Sequence, residues 1–410
     1  MPFLEIDRRT FLVGTGVLAA LGVAAGATTV TWDELHQAAV QRPRVVGDGI
    51  LVLVTMYGGN DGLNTLIPYA DNAYHDARSE LAYSPDQVLQ LDHSLGLNPA
   101  MKGMHDLWDD GSLAVIRGVG YPRPDHSHFR SMDIWQTASP GSAVTSGWIG
   151  RWLDATGDDP LRAVNIGPVL PMLAIGTRTT AAALNPSGHE LASPVVARLA
   201  SLGAHDPADS VGQQQVCESY VAGQKAAQQF SSIRSSTGSG TTRAAGGRSG
   251  KHGDALAAQL DAVSRCIKAG VPTRVYSVSV GGFDTHADER ETQERLLGEV
   301  DSALSAFCKD MATDPRGKDV VTMAYSEFGR RVRANASDGT DHGTAGPVFI
   351  AGAPVRGGFY GDEPSLTDLD NGDLKVTTDF RDIYAELLGA GLGSDPTPAV
   401  GAGRRPVGFL

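Results

Sequence analysis

Cysteine is scarce in this chain of 410 residues, and what there is lacks a pattern. Cys217, Cys266 and Cys308 stand far apart, without the paired spacing of a zinc or redox motif. That excludes a disulfide framework and leaves buried free thiols, or at most one bridge. Basic residues are the minority, 34 Lys and Arg against 47 Asp and Glu, for a net charge of −13. A surface of that sign does not neutralise phosphates, so nucleic-acid binding is disfavoured. Beyond residue 27 no run is long and apolar enough to span a bilayer. No Gly-x-Gly-x-x-Gly follows the first candidate strand, so a dinucleotide-dependent oxidoreductase lacks its phosphate turn. There is no internal repeat.

What is there begins at residue 7. Asp7-Arg8-Arg9-Thr10-Phe11-Leu12-Val13 sets an arginine pair before an apolar stretch that runs to Ala25 and is broken by Gly14, Gly16 and Gly22. The stretch is too short and glycine-rich for a membrane span. It fits the apolar region of an export signal, with Ala25-Gly26-Ala27 as the cleavage pattern. The arginine pair predicts export of the folded chain by the twin-arginine translocase, to the periplasm, the cell envelope or the medium. Residues 1–27 are therefore read as a signal peptide and 28–410 as one domain.

Continuous apolar runs at Ile50–Met56, Leu113–Val119, Arg274–Val280, Asp319–Tyr325 and Val348–Ala351 predict buried strands. Helical periodicity lies between several of them, most clearly over Glu289–Met311 and Asp254–Ala269. This order predicts an α/β fold: a three-layer sandwich whose largely parallel sheet is covered by helices. Residues 140–230 read as an insertion or cap. Residues 231–253 read as a flexible low-complexity loop with almost nothing to bury.

Polar residues gather just beyond the strands, where open parallel sheets bind ligands. Gly58-Gly59-Asn60-Asp61-Gly62 follows the first strand; Asp61 there is a candidate ligand, or part of a plain turn. Gly281-Gly282-Phe283-Asp284-Thr285-His286 offers a carboxylate and an imidazole to one cation, unless Asp284 caps the next helix. Glu327, in Ser326-Glu327-Phe328-Gly329-Arg330-Arg331, needs a metal or an arginine partner if buried. His342 lies in Asp341-His342-Gly343 before the last strand. Asp125-His126-Ser127-His128-Phe129-Arg130 precedes a helix, where Ser127 is a candidate nucleophile or a cap. Oxygen and nitrogen donors of this kind suit zinc, manganese or calcium.

Together these stretches resemble the exported family called domain of unknown function 1501. The resemblance rests on Arg8–Leu12, Gly58–Asn64, Ser127–Phe129 with Trp135-Gln136-Thr137, Gly282–His286, Ser326–Arg330 and Asp341–Gly343. It implies an alkaline-phosphatase-like fold and a metal-dependent hydrolase of phosphate or sulfate esters. Asp61, Asp284, His286, Glu327 and His342 would hold a divalent metal such as zinc. Ser127 or His128 would stand at the nucleophile position, and Asn60, Arg130 and Arg330 would bind substrate. The resemblance departs from the superfamily at Ser326-Glu327, where an Asp-His pair is usual. A non-catalytic extracytoplasmic binding protein that kept the fold is the alternative.

Overall fold

The computed structural model describes residues 29–167, 170–185 and 252–410. The expected signal peptide, residues 186–230 of the expected insertion and nearly all of the low-complexity stretch lie outside the described residues, as does Cys217.

In chain order the main elements are β1 (Thr29–Val30), α1 (Trp32–Gln41), β2 (Ile50–Met56), α2 (Asn72–Arg78), α3 (Lys102–Asp109) and β3 (Leu113–Gly120). Next come α4 (His128–Thr137), α5 (Trp148–Thr156), β4 (Ala163–Ile166), β5 (Ala182–Leu184), α6 (His252–Ala269) and β6 (Val275–Val280). The chain continues through α7 (Glu289–Thr313), β7 (Val320–Tyr325), β8 (Gly346–Ala351), β9 (Gly358–Tyr360), β10 (Thr378–Asp379) and α8 (Phe380–Glu386). Among the described residues no helix is long and apolar enough to cross a membrane.

The chain divides into two compact units. The larger takes Val45–Trp135, Arg248–Lys268 and Arg274–Leu410. Its sheet runs β6-β2-β7-β8-β3-β9, with β10 also paired to β3. Strands β6, β2 and β7 are mutually parallel, as are β3, β9 and β10. Only β8 is reversed, antiparallel to both β7 and β3. The reason is local: residues 326–345 contain no helix, and a parallel return needs a crossover, usually helical. Every residue of β2 and of β7 is buried, so both faces of the sheet are covered.

Helix α7 buries the stripe Leu296, Leu297, Val300, Leu304, Phe307 and Met311, as its periodicity predicts. From the same helix Asp301 accepts the backbone N–H groups of Gly103 and Met104, at 2.9 and 2.6 Å. A carboxylate thus sits at the start of α3, where the free amides favour it. Trp135 of α4 stacks on Tyr325 at the end of β7 and on Phe380 at the start of α8. Cys266 and Cys308 are buried free thiols, each pushed up to about 12 by burial.

The smaller unit takes the remaining segments, among them the stretch 140–185. In it β1, β5 and β4 pair in parallel. Thr31 and Glu34 form a capping box at the start of α1. Trp148 and Trp152 of α5 are buried.

Candidate metal centre

Strand register sets the site. Met56 pairs with Val280 and Thr55 with Tyr325, so β2, β6 and β7 end level with one another. The residues that follow, Tyr57–Asp61, Gly281–His286 and Ser326–Arg330, therefore share one rim. Gly58 permits the close approach of two of these loops. It has φ +120°, and a Cβ there would lie 2.5 Å from the amide nitrogen of Asp284.

Three side chains meet at this rim. His128 Nε2 lies 3.0 Å from His342 Nε2 and 3.3 Å from Asp284 Oδ1. His342 Nε2 lies 3.2 Å from the same oxygen. His286 Nε2 stands beside two of them, 2.9 Å from Asp284 Oδ1 and 3.0 Å from His342 Nε2. Phe328 walls one side, its ring centre 4.8 Å from His128 and 5.0 Å from His342.

The outward nitrogens fix the tautomers. His342 Nδ1 donates to the carbonyl of His126 at 2.7 Å. His128 Nδ1 donates to Glu327 Oε1 at 2.8 Å. Each ring in its neutral form then presents a bare Nε2 lone pair inward, toward the other and toward a carboxylate. Three acceptors facing one point require a cation or a proton between them. Their separations, 3.0 to 3.3 Å, are close to the edge of about 3.3 Å that tetrahedral zinc with bonds near 2.0–2.1 Å would impose. The donor set fits a divalent ion.

The electrostatics agree. Partial burial pushes Asp284 up, but Arg330 and His342 outweigh it and leave its carboxyl at about 2. The hydrogen bond to Glu327 raises His128 above the ordinary imidazole range, while burial lowers His342. One ring donating and one accepting lets a single proton fill the centre when no ion does.

Several expected residues lie elsewhere in the arrangement. Asp284 does not cap α7, whose N-cap position is Asp288. Glu327 is buried and takes neither arginine as partner. Its Oε1 accepts from Gly58 N–H and His128, and its Oε2 from Ser326. Its carboxylate orients the His128 ring from behind. Asp61 is fully buried, caps the turn at Leu63 and is gripped by Arg78, so it does not reach the cluster. Arg330 is fully buried and donates to the carbonyls of Gly58, Gly59, Phe283 and Thr340 and to Asp284. No donor of this set points to a substrate. Asn60 is likewise engaged inside, with Thr65, Gln293 and Ser326. Arg130 pairs with Asp133 one helical turn on, half-exposed. Ser127 is exposed; its N–H donates to Asp125 and its carbonyl accepts from Ser131.

Other contributors had no signal in the sequence. The ring of His126 is held by Asp373 at 2.8 Å, which steadies the carbonyl that orients His342. Below the rim, Glu289 accepts from Thr340 at 2.6 Å, and its carboxyl is pushed up to about 9, by burial first and by the neighbouring Asp61 charge second.

Comparison with known proteins gives distant structural likenesses and one family. A protein of the alkaline phosphatase superfamily from Vibrio parahaemolyticus aligns with TM-score 0.44 and 11% identity, over 97% of this chain and 78% of its own. Ps i-CgsB aligns with TM-score 0.38 and 8% identity, over 86% and 76%. Its complex with k-i-k-neocarrahexaose gives 0.38 and 9%, over 85% and 75%. No curated protein matches the chain in sequence. The family described as "Protein of unknown function (DUF1501)" matches residues 120–403, well over half of the chain and all of His128, Asp284, His286, Glu327 and His342, and the protein belongs to that family.

Proposed function

We propose that this protein is a metal-dependent hydrolase of phosphate or sulfate esters, exported through the twin-arginine pathway. One observation carries the reading: His128, His342 and Asp284 turn three acceptors toward one point, each held from behind. Two imidazoles in the set favour zinc, or manganese, over calcium, which prefers oxygen alone. Bound there, such an ion would polarise an ester oxygen and make a water nucleophilic near neutral pH.

The chain's own residues do the rest. Glu327 and the His126 carbonyl hold the two rings in the ligating tautomer, and Arg330 holds Asp284 in place. Phe328 excludes water from one flank, which strengthens charge interactions at the site. Among the described residues no hydrogen bond joins the Ser127 hydroxyl to an imidazole. Water is the nucleophile of this reading, and Ser127 directly precedes His128 in the chain.

The Ser326-Glu327 pair, standing where the superfamily usually has Asp-His, favours a second reading, a binding protein that holds an ion without turnover. Elemental analysis of the full chain, purified without chelator, separates them when paired with a panel of phosphate and sulfate monoesters. The hydrolase reading expects a bound ion, its loss in His128→Ala/His342→Ala, and ester cleavage that follows ion content. A bound ion with no cleavage of any ester supports the binder. No ion, with no thermal shift on adding zinc or manganese, sinks both.

A further inference from the structure

A small cavity lies among the strand-end loops. Asn60, Trp135, Ser326 and Phe328 line it, with Gly346 and apolar side chains closing the rest. About 10 Å³ of it is open to the centre of a water molecule, which is room for one. Phe328 is also the residue whose ring walls the candidate metal centre.

Two residues of the lining have unmet hydrogen bonds. Trp135 is 2% exposed, and among the described residues its indole N–H has no partner. Tyr325 and Phe380 stack on it, at 17° and 25° to its ring. The N–H lies in the ring plane, so neither stacked ring accepts it. An indole is a donor only, and a buried one normally finds an acceptor. The Ser326 hydroxyl has one proton and two acceptors within reach, the Met56 carbonyl at 2.7 Å and Glu327 Oε2 at 2.9 Å. One of its lone pairs takes the Asn60 N–H at 3.0 Å. The other receives no donor among the described residues.

A water meets both needs, accepting from Trp135 and donating to Ser326. Asn60 is the third polar residue of the lining, which gives the water the two or three partners that buried waters keep. With both lone pairs filled, the Ser326 proton is confined to the side of Met56 and Glu327. Glu327 in turn holds His128 Nδ1 at 2.8 Å.

We infer that this cavity holds a resident water bound between Trp135 and Ser326, and that Trp135 is a positioning residue for His128, acting through that water, Ser326 and Glu327. The positioning role rests on the metallohydrolase reading; the water does not.

The first test is a high-resolution crystal structure of the full chain. A water is expected within about 3.2 Å of both Trp135 Nε1 and Ser326 Oγ. Its absence overturns the whole inference and needs no variant. The second test measures zinc affinity by competition with a chelating dye. Trp135→Phe keeps an aromatic ring in the stack and removes the N–H. Its zinc affinity is expected to fall several-fold, and that of Ser326→Ala by about tenfold or more. Trp135→Phe/Ser326→Ala is expected to match Ser326→Ala alone, because the path is already cut at Ser326. Effects that multiply in the double variant would show Trp135 acting by packing, and would overturn the positioning role. So would unchanged affinity in Trp135→Phe. Melting curves of the zinc-free variants verify that each is folded. If the wild-type chain binds no zinc, the hydrolase reading falls and the positioning role with it, while the crystal structure still decides the water.

Discussion

Arg78 grips Asp61 through both terminal nitrogens, with Nη2 2.9 Å from Oδ1, and neither side chain reaches solvent. The same guanidinium also donates to the carbonyls of Val332 and Arg331. The acid that the sequence offers as a ligand beyond the first strand is thereby turned into a strut between α2 and the segment after β7.

Removing one partner of this pair leaves a buried charge without compensation, at a cost of roughly 3–5 kcal/mol. Asp61→Ala is expected to lower the urea midpoint accordingly, while the folded fraction keeps its ion. Elemental analysis of the folded variant checks the second half: loss of the ion there would return Asp61 to the ligand set.

Glu289 gives stability a pH dependence. Its native carboxyl is pushed up to about 9, by burial and then by the Asp61 charge, from an ordinary value of 4.5. The native state keeps the proton while the unfolded chain releases it. Stability from this group is full below the ordinary value and is lost as pH rises toward the native one, at up to about 1.4 kcal/mol per pH unit. Glu289→Gln keeps a donor for Asp61 and an acceptor for Thr340. It is expected to flatten the fall in melting temperature between roughly pH 5 and pH 9. An unchanged slope would show that Glu289 is not the group responsible.

Glu327 fixes His128 from behind without touching the centre. Glu327→Gln is expected to weaken zinc binding by about 10–100-fold, the usual effect of losing such a partner. Competition titration reads it directly. Abolition of binding, equal to His128→Ala, would make Glu327 a ligand after all.

Ser127→Ala tests the identity of the nucleophile. With water as nucleophile, turnover of the best ester is expected to stay within about tenfold of wild type. A covalent serine would cost on the order of a thousandfold or more. A denaturing quench adds a second readout, since a covalent serine intermediate leaves the phosphoryl or sulfuryl group on the protein and attack by water leaves it unlabelled.

Much of the frame was legible in the sequence. Ile50–Met56 and Asp319–Tyr325 read as buried strands because strands covered on both faces are apolar throughout. The stripe of α7 read as a helix because its period is 3.6. The reversal of β8 was not legible, since it depends on the absence of a crossover helix rather than on the strand's own residues. At the site, Asp284 and His286 were visible as polar residues beyond a strand end, His342 just before the last strand and His128 in a cluster ahead of a helix. Their division into ligands and supports was not. Glu327 and Asp61 look alike in sequence, each an acid just past a buried strand, and only the third dimension supplies His128 to one and Arg78 to the other. No local pattern marks Arg78 at the end of a seven-residue helix, or makes a backbone carbonyl at His126 an orienting group.

Arg330 joins Gly58, Gly59, Phe283, Asp284 and Thr340 through one buried guanidinium. A permanent organic cation, not the exchangeable one, ties the strand-end loops together. On the hydrolase proposal the chain would complete its fold before loading, which would be a late and reversible event, and a chelator would silence the protein without unfolding it.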